Sequence, residues 1–186
     1  MRFNTAYLKK NVFIGLAMWV GSITAQATVL NFSATIVTNT CSVSLDRSVI
    51  SLNQVPVSHL QSGVLLNLQP FTLKAENCEG VDGGTQQVGI LVSGAGAIQD
   101  GKWLFRSIDS DVGGAGVMLV QSANQPSFTD KEVMPGDMFP LANPGLAPSD
   151  KEFPFFAGIS CGGSTGCATV KTGTLVAHIT FLLAYR

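Results

Sequence analysis

Short apolar runs separated by turn-forming residues are the feature that most limits what this chain can fold into. In residues 30–37, apolar and polar side chains alternate, which is the period of a half-buried β-strand. Clean helical periodicity is missing from every window of a dozen residues. Similar apolar runs follow at 42–45, 49–52, 70–75, 88–93, 116–121, 152–159 and 169–185. The sequence therefore predicts an all-β fold, either a sandwich or a barrel.

Turn-forming residues lie between these runs, and they are rich in Gly, Asp, Asn and Pro. The clearest turns are at Gly80, Asp82-Gly83-Gly84, Asp100-Gly101, Gly113-Gly114, Pro135-Gly136-Asp137 and Asn143-Pro144-Gly145. Residues 134–150 contain four prolines and are predicted to form a long irregular connection. The last run, 173–186, is apolar on both faces, which predicts a strand near the middle of a sheet.

The N-terminal segment has the pattern of an export signal, and we do not expect it to be part of the fold. Three basic residues precede an apolar run of about a dozen residues, and Ala25-Gln26-Ala27 places small residues at the two positions that signal peptidase reads. The run is too short for a membrane anchor, which needs about 20 apolar residues. We expect residues 1–27 to be cleaved, so that the mature chain begins at Thr28.

The overall charge excludes one class of partner. Lys and Arg number 11 against 12 Asp and Glu, and no basic stripe offers the contacts that a phosphate backbone requires. Nucleic acid is therefore not an expected partner.

Export also changes how the four cysteines are interpreted, because an oxidising compartment favours disulfides over metal ligands or catalytic thiols. Four cysteines allow three connectivities. Cys161 and Cys167 flank five small or flexible residues that can turn back on themselves, so we predict this local pair and assign Cys41 to Cys78.

Two patterns suggest chemistry, but neither supports it. The segment 162–166 matches Gly-x-Ser-x-Gly around Ser164, yet that motif works only on a strand-to-helix turn with a histidine within reach. His178 is expected to be a sheet residue rather than a general base. Residues 109–114 resemble part of a calcium loop but lack its third acidic ligand and closing Glu. We therefore expect no enzymatic activity, no metal and no cofactor.

Four features, in order along the chain, resemble the structural subunits of chaperone-usher fimbriae, the type 1 pilin family. They are the alternating segment 30–37 ahead of Cys41, the strand 70–78 that ends on Cys78, the pair of segments 114–119 and 153–157, and a tail with Gly173 fourteenth from the end and Tyr185 penultimate. Each is weak alone, but together they span nearly all of the mature chain.

The resemblance implies an incomplete immunoglobulin-like β-sandwich that lacks its last strand and is completed by a donor strand from a partner. In this family a periplasmic chaperone first supplies the strand, and the N-terminal extension of the next subunit then replaces it at an outer-membrane usher. Residues 28–37 would be that extension and 38–186 the pilin domain. The donor side chains would be Leu30, Phe32, Ala34 and Ile36. The groove strand that also contacts the chaperone would carry Gly173, Phe181, Leu183 and Tyr185.

The resemblance implies a structural subunit that reaches the surface of a Gram-negative bacterium through the periplasm and contacts neighbouring subunits. Two departures bear on assembly, since family extensions usually have Gly where this chain has Ala34, and many members lack a second cysteine pair. The alternatives are a minor adaptor or terminator subunit of the same fimbria, or a self-sufficient secreted β-sandwich that binds a ligand.

Overall fold

Nine strands, all paired antiparallel, build the part of the chain that the computed structural model describes, residues 39–186. The predicted signal peptide and donor strand lie outside these residues. The strands are β1 (Thr40–Leu45), β2 (Leu66–Glu79), β3 (Val88–Gly94), β4 (Gly96–Gln99), β5 (Lys102–Phe105), β6 (Gly116–Gln121), β7 (Met138–Pro140), β8 (Lys151–Ser160) and β9 (Ile179–Tyr185). Two short 3-10 helices, Val57–His59 and Gly166–Thr169, complete the elements. The all-β prediction is confirmed.

The strands form two sheets. A six-stranded sheet has the order β1-β2-β8-β6-β5-β4, and a three-stranded sheet has the order β7-β3-β9. The long strands β2 and β8 lie near the centre of the larger sheet, with Phe71 opposite Phe155 and Leu73 opposite Phe153. The molecule is thus an incomplete immunoglobulin-like sandwich in which one layer is half the size of the other.

Alternating side chains of both sheets form the core between the layers. On β3, Val88, Ile90 and Val92 are completely buried, and they face Leu73 and Phe155 of the larger sheet within one apolar cluster. A second, smaller cluster lies on the opposite face of the larger sheet. Its members are Leu104, Met118 and Val120, with Leu65 and Phe128 packed against them. Strand β6 is therefore buried on both faces, which explains its continuous apolar sequence.

Both predicted disulfides are present. The Cys41–Cys78 bond joins β1 to the end of β2, and the Cys161–Cys167 bond closes a short loop directly after β8. The Asp100-Gly101 turn forms a two-residue hairpin between β4 and β5. Both turn residues have positive φ, 48° and 80°, as a type I′ turn requires.

Several strand predictions were wrong. Residues 49–52 are irregular, and residues 169–178 precede β9 rather than belonging to it. The predicted irregular connection 134–150 contains β7, and the β4–β5 hairpin was predicted only as a turn. Strand β9 lies at the edge of its sheet rather than in the middle, and Leu182 on its outer face is 49% exposed. Apolar residues on both faces of β9 therefore do not reflect two covering layers within this chain.

Candidate functional site: an open cleft beside the last strand

A large cleft opens between the two sheets at the edge formed by β9. Its volume is about 1270 Å³. One wall consists of residues 45–60, and the other consists of residues 170–181, which include the beginning of β9. The floor is made by Phe71, Val117, Leu119, Ala157 and Ile159 of the six-stranded sheet. We refer to this feature as the cleft.

The floor of the cleft is apolar, and the pairing register of β6 and β8 brings its residues side by side. Leu119 of β6 pairs with Ala157 of β8, and Val117 pairs with Ile159 one step further along the two strands. All four residues are at most 8% exposed. The same strands that close the core beneath β3 therefore continue beyond it and present an apolar surface with no sheet above it among the described residues.

The beginning of strand β9 supplies part of one wall. Its backbone pairs with β3 over its whole length, from Ile179 opposite Gly94 to Tyr185 opposite Val88. On its other side β9 is the terminal strand of the sheet, so this edge of its backbone faces the cleft. Such an edge offers N–H and C=O groups to any additional strand. The inward side chains Ile179, Phe181, Leu183 and Tyr185 are only half-buried, although they pack against the main core cluster.

The segment that leads into β9 is not part of a sheet ladder, and it is held by two serine side chains together with a backbone bond from the Ser107 N–H to the Val176 carbonyl at 2.8 Å. The Ser110 hydroxyl donates to the carbonyl of Val176 at 2.7 Å and accepts from its N–H at 2.8 Å. The Ser107 hydroxyl accepts from the N–H of His178 at 2.7 Å. These bonds keep residues 174–178 extended along the cleft, which continues the line of β9 without making it part of a ladder.

Gly173 lies at the start of this segment because the chain passes very close to residue 111 there. A Cβ atom at position 173 would lie 2.5 Å from the Asp111 Oδ1 atom and 2.7 Å from the backbone nitrogen of Val112. The Asp111 carboxylate accepts from the N–H of Thr174, and the Asp111 N–H donates to the Thr174 carbonyl at 3.1 Å. Glycine is thus required by close packing, and it positions the wall of the cleft.

The opposite wall is largely irregular, and hydrogen bonds attach it to β2. The Asp46 carboxylate accepts from the N–H of Thr72 at 2.9 Å, and the Arg47 guanidinium donates to the Pro70 carbonyl at 2.6 Å. Further along, the Asn67 side-chain amide donates to the carbonyl of Leu52 at 2.6 Å. Asp46 and Arg47 of the wall and Asn67 of β2 therefore attach this wall to β2. The attachment holds the wall apart from β9, so the cleft remains open.

Aromatic side chains close one end of the cleft. Phe181 contacts both Phe155 and Phe71, with ring centroids 5.5 Å and 6.3 Å apart, and Phe71 stacks on Phe155 at 5.4 Å. The Cys161–Cys167 loop connects two residues that line the cleft, Ile159 and Val170, and the β4–β5 hairpin holds it. The hydroxyl and the backbone N–H of Thr165 both donate to the carboxylate of Asp100, at 2.7 Å and 2.8 Å. These bonds lower the pKa of Asp100 below its ordinary value.

The charged lining of the cleft is sparse and of one sign. Among the described residues that line it, Arg47, Lys171 and His178 carry or can carry positive charge, and no carboxylate lines it. The His178 ring lies 3.3 Å from the Asp109 carboxylate, and both side chains are largely exposed. A strand bound in the cleft would meet an apolar floor and a weakly cationic rim.

The structure places the predicted groove residues in two groups. Gly173 and Phe181 line the cleft, whereas Leu183 and Tyr185 lie beyond its aromatic end and pack against the core. The Tyr185 hydroxyl donates to the carbonyl of Asn39. The predicted donor residues Leu30, Phe32, Ala34 and Ile36 lie outside the described residues. Sequence reasoning missed the opposite wall and the serines at 107 and 110, because polar residues in irregular segments show no periodicity.

The Gly-x-Ser-x-Gly motif around Ser164 does not lie on the strand-to-helix turn that its catalytic use requires. Ser164 is exposed within the disulfide-closed loop, which leads into a single 3-10 turn rather than a helix. Among residues 39–186 there is no group of three or more side chains suited to a metal ion. In the same residues no helix is long and apolar enough to cross a membrane.

Comparison with known proteins identifies the family. The solved structures that are similar to this chain include two pilus structures. One is the P pilus rod subunit PapA, which is 21% identical, with a TM-score of 0.47, over 85% of this chain and 100% of that chain. The other is a chaperone-usher pilus described in terms of rod uncoiling, 20% identical, with a TM-score of 0.45, over 88% of this chain and 97% of that chain. No curated protein matches the sequence.

The decisive match is to a family model. The model of the fimbrial protein family matches residues 30–186, which is most of the sequence and includes every element that forms the cleft. The predicted family membership is thereby confirmed. The chain belongs to the fimbrial protein family and is a pilus subunit.

Proposed function

We propose that this chain is a non-enzymatic structural subunit that polymerises by donor-strand exchange, with the cleft as the acceptor for the N-terminal extension of a neighbouring subunit. The observation that carries the proposal is the combination of an apolar floor with an edge strand that faces it. Strand addition to an exposed sheet edge is a general mode of peptide recognition, and chaperone–pilin complementation is one of its known examples.

The cleft has the two properties that a strand acceptor needs. Backbone groups along the outer edge of β9 can pair with an added strand, which supplies affinity without depending on sequence. The floor residues Val117, Leu119 and Ile159 can receive every second side chain of that strand, which supplies specificity. Left empty, an apolar floor beneath an open edge would promote aggregation.

Residues 28–37 have the matching pattern. Leu30, Phe32, Ala34 and Ile36 would point into the cleft, and the polar residues between them would point away. Burial of the three large apolar side chains would contribute about 5 to 9 kcal/mol, before backbone hydrogen bonds and ordering costs are counted. That size suits a lasting joint between subunits rather than a transient contact.

The remaining steps follow the family pathway. A periplasmic chaperone would occupy the cleft until an outer-membrane usher brings the next subunit, and the fibre would emerge at the surface of a Gram-negative bacterium. Phe181 and the β9 edge would contact the chaperone strand first, because they border the cleft. Leu183 and Tyr185 would then stabilise this end of β9 from within the core.

The test compares two substitutions at adjacent positions of the extension. Phe32→Asp places a charge on the predicted inward face, whereas the control Ser33→Asp places the same charge on the predicted outward face. Each variant is co-expressed with the chaperone and usher encoded by the same organism, and surface polymer is quantified after gentle heat release. We expect Phe32→Asp to abolish polymer and Ser33→Asp to retain most of it.

Two results would contradict the proposal. One is equal polymer from both variants. The other is a mature chain that refolds alone into a stable monomer and shows no rise in thermal stability when a peptide of residues 28–37 is added, which would favour a self-sufficient binding module.

A further inference from the structure

The point at which the N-terminal extension leaves the domain carries an exposed apolar surface. The extension joins the domain at Asn39, whose side-chain oxygen accepts from the N–H of Val81 at 3.0 Å. Val81 therefore lies directly beside the exit point, and 62% of it is exposed. Scattered exposed apolar residues are ordinary, so the position of this one is what matters.

A second exposed apolar residue lies on the neighbouring loop. The segments 80–84 and 145–148 run side by side, since the Gly83 N–H donates to the Gly145 carbonyl and the Ala147 N–H donates to the Asp82 carboxylate, both at 2.8 Å. Leu146, which lies on the second segment, is 47% exposed. We call Val81 and Leu146 the exit patch.

The rim of the cleft also exposes an apolar side chain. Val49 lies within the segment 45–60, which forms one wall, and it is 86% exposed. Val49 is flanked by Ser48 and Ile50, which both line the cleft. Val49 itself does not line the cleft, so a strand lying on the floor would leave it uncovered.

Chain length restricts what can cover the exit patch. The predicted donor strand ends at residue 37, and only two residue steps separate it from Asn39, a reach of at most about 7 Å. A subunit whose extension fills a cleft must therefore hold its own exit patch close to the rim of that same cleft. The occupant is fixed by covalent connection, since the donor strand and the exit patch belong to one chain.

We infer that the exit patch of one copy, Val81 and Leu146, packs against the cleft rim of the next copy, at Val49, and forms a second interface at each joint. The inference rests on the proposed donor-strand function. The contact is heterologous, joining two different surfaces of the same protein, so it can repeat along a fibre. Its effect is to slow the separation of two subunits and to restrict the angle between them.

The test measures how fast preformed polymer dissociates. Full-length polymers are prepared from the wild-type chain, from Val81→Asp with Leu146→Asp, from Val49→Asp, and from the control Ile98→Asp. Ile98 is 70% exposed on β4, at the opposite edge of the six-stranded sheet from β1, and it does not line the cleft. Dissociation is followed in urea by gel electrophoresis without heating. Because interface substitutions act mainly on the off-rate, we expect each test variant to dissociate about tenfold faster or more, and the control to match wild type.

A peptide of residues 28–37 separates this inference from the proposed function. The peptide should raise the thermal stability of all four chains equally, because the exit patch, Val49 and Ile98 do not line the cleft. Wild-type dissociation rates in either test variant, with peptide binding intact, would overturn the second interface alone. Failure of the peptide to bind the wild-type chain would instead contradict the proposed function.

Discussion

The space between the two sheets has a finished half and an unfinished half, and the same six-stranded sheet forms the floor of both. In the finished half, Phe155 is completely buried between Phe71 of its own sheet and Phe139 of the smaller one, with ring centroids 5.4 Å and 5.2 Å away. In the unfinished half, Ile159 of the same strand borders the open cleft. The two halves share the same floor and differ in what covers it. The unfinished half therefore lacks a covering strand, and its openness does not come from a difference in the sequence of β8.

The largest expected effect comes from the finished half. Phe155→Ala removes a buried ring from a site that cannot collapse, and we expect it to lower the free energy of unfolding by about 3 to 5 kcal/mol. Urea unfolding of the purified chain, followed by the fluorescence of Trp103, would measure it. A loss below about 1 kcal/mol would show that the finished half is loosely packed.

The corresponding substitution in the unfinished half should depend on the occupant. Ile159→Ala enlarges an open cleft rather than creating a closed cavity, so we expect a loss near the lower limit for such changes, about 2 kcal/mol. With a peptide of residues 28–37 bound, the loss should grow, because the occupant closes the cleft. Leu73→Ala, in the finished half, is the control whose cost should be the same with and without peptide.

A smaller effect is expected where the wall of the cleft is positioned. Gly173→Ala introduces a methyl group that would meet Asp111 and Val112 at 2.5 to 2.7 Å, so we expect a loss of at least about 1 kcal/mol. In Gly113→Ala, the matched control, the atoms nearest to the new methyl group would be side-chain carbons of Lys171, at 3.6 Å, an ordinary van der Waals distance. Peptide affinity and urea midpoints of both variants would check the prediction, which fails if the two behave alike.

The smallest effect concerns the Cys161–Cys167 loop. Hydrogen bonds from Thr165 hold the pKa of Asp100 below its ordinary value of 3.8. Because the folded pKa is the lower one, the carboxylate stabilises the fold fully above about pH 4, and this contribution is lost as the pH falls towards the folded pKa. We expect Asp100→Asn to be slightly less stable than wild type at pH 7 and the difference to narrow at pH 3. Urea midpoints at the two pH values would measure it, and a constant difference would contradict the assignment.

The sequence predicted the finished half well. Short apolar runs placed β3 and β6 close to their observed bounds, and the spacing of the cysteines predicted both disulfides. It failed on the walls of the cleft, where residues 49–52 and 169–178 resemble strands but are held by isolated side-chain and backbone hydrogen bonds, such as those of Asp46, Ser107 and Ser110. Because those contacts join residues more than twenty positions apart in the sequence, no local sequence pattern predicts them.

The sequence by itself determined which side chains need burial, because a period of two marks the apolar face of a strand. Only the tertiary structure decided what covers them. The sequence of an apolar face looks the same whether the opposite sheet covers it, as for Phe155, or whether it lies beside an open cleft without a covering strand among the described residues, as for Val117 and Ile159. The order of strands decides between these cases, because it leaves β9 at an edge, and strand order depends on long-range pairing that periodicity does not encode.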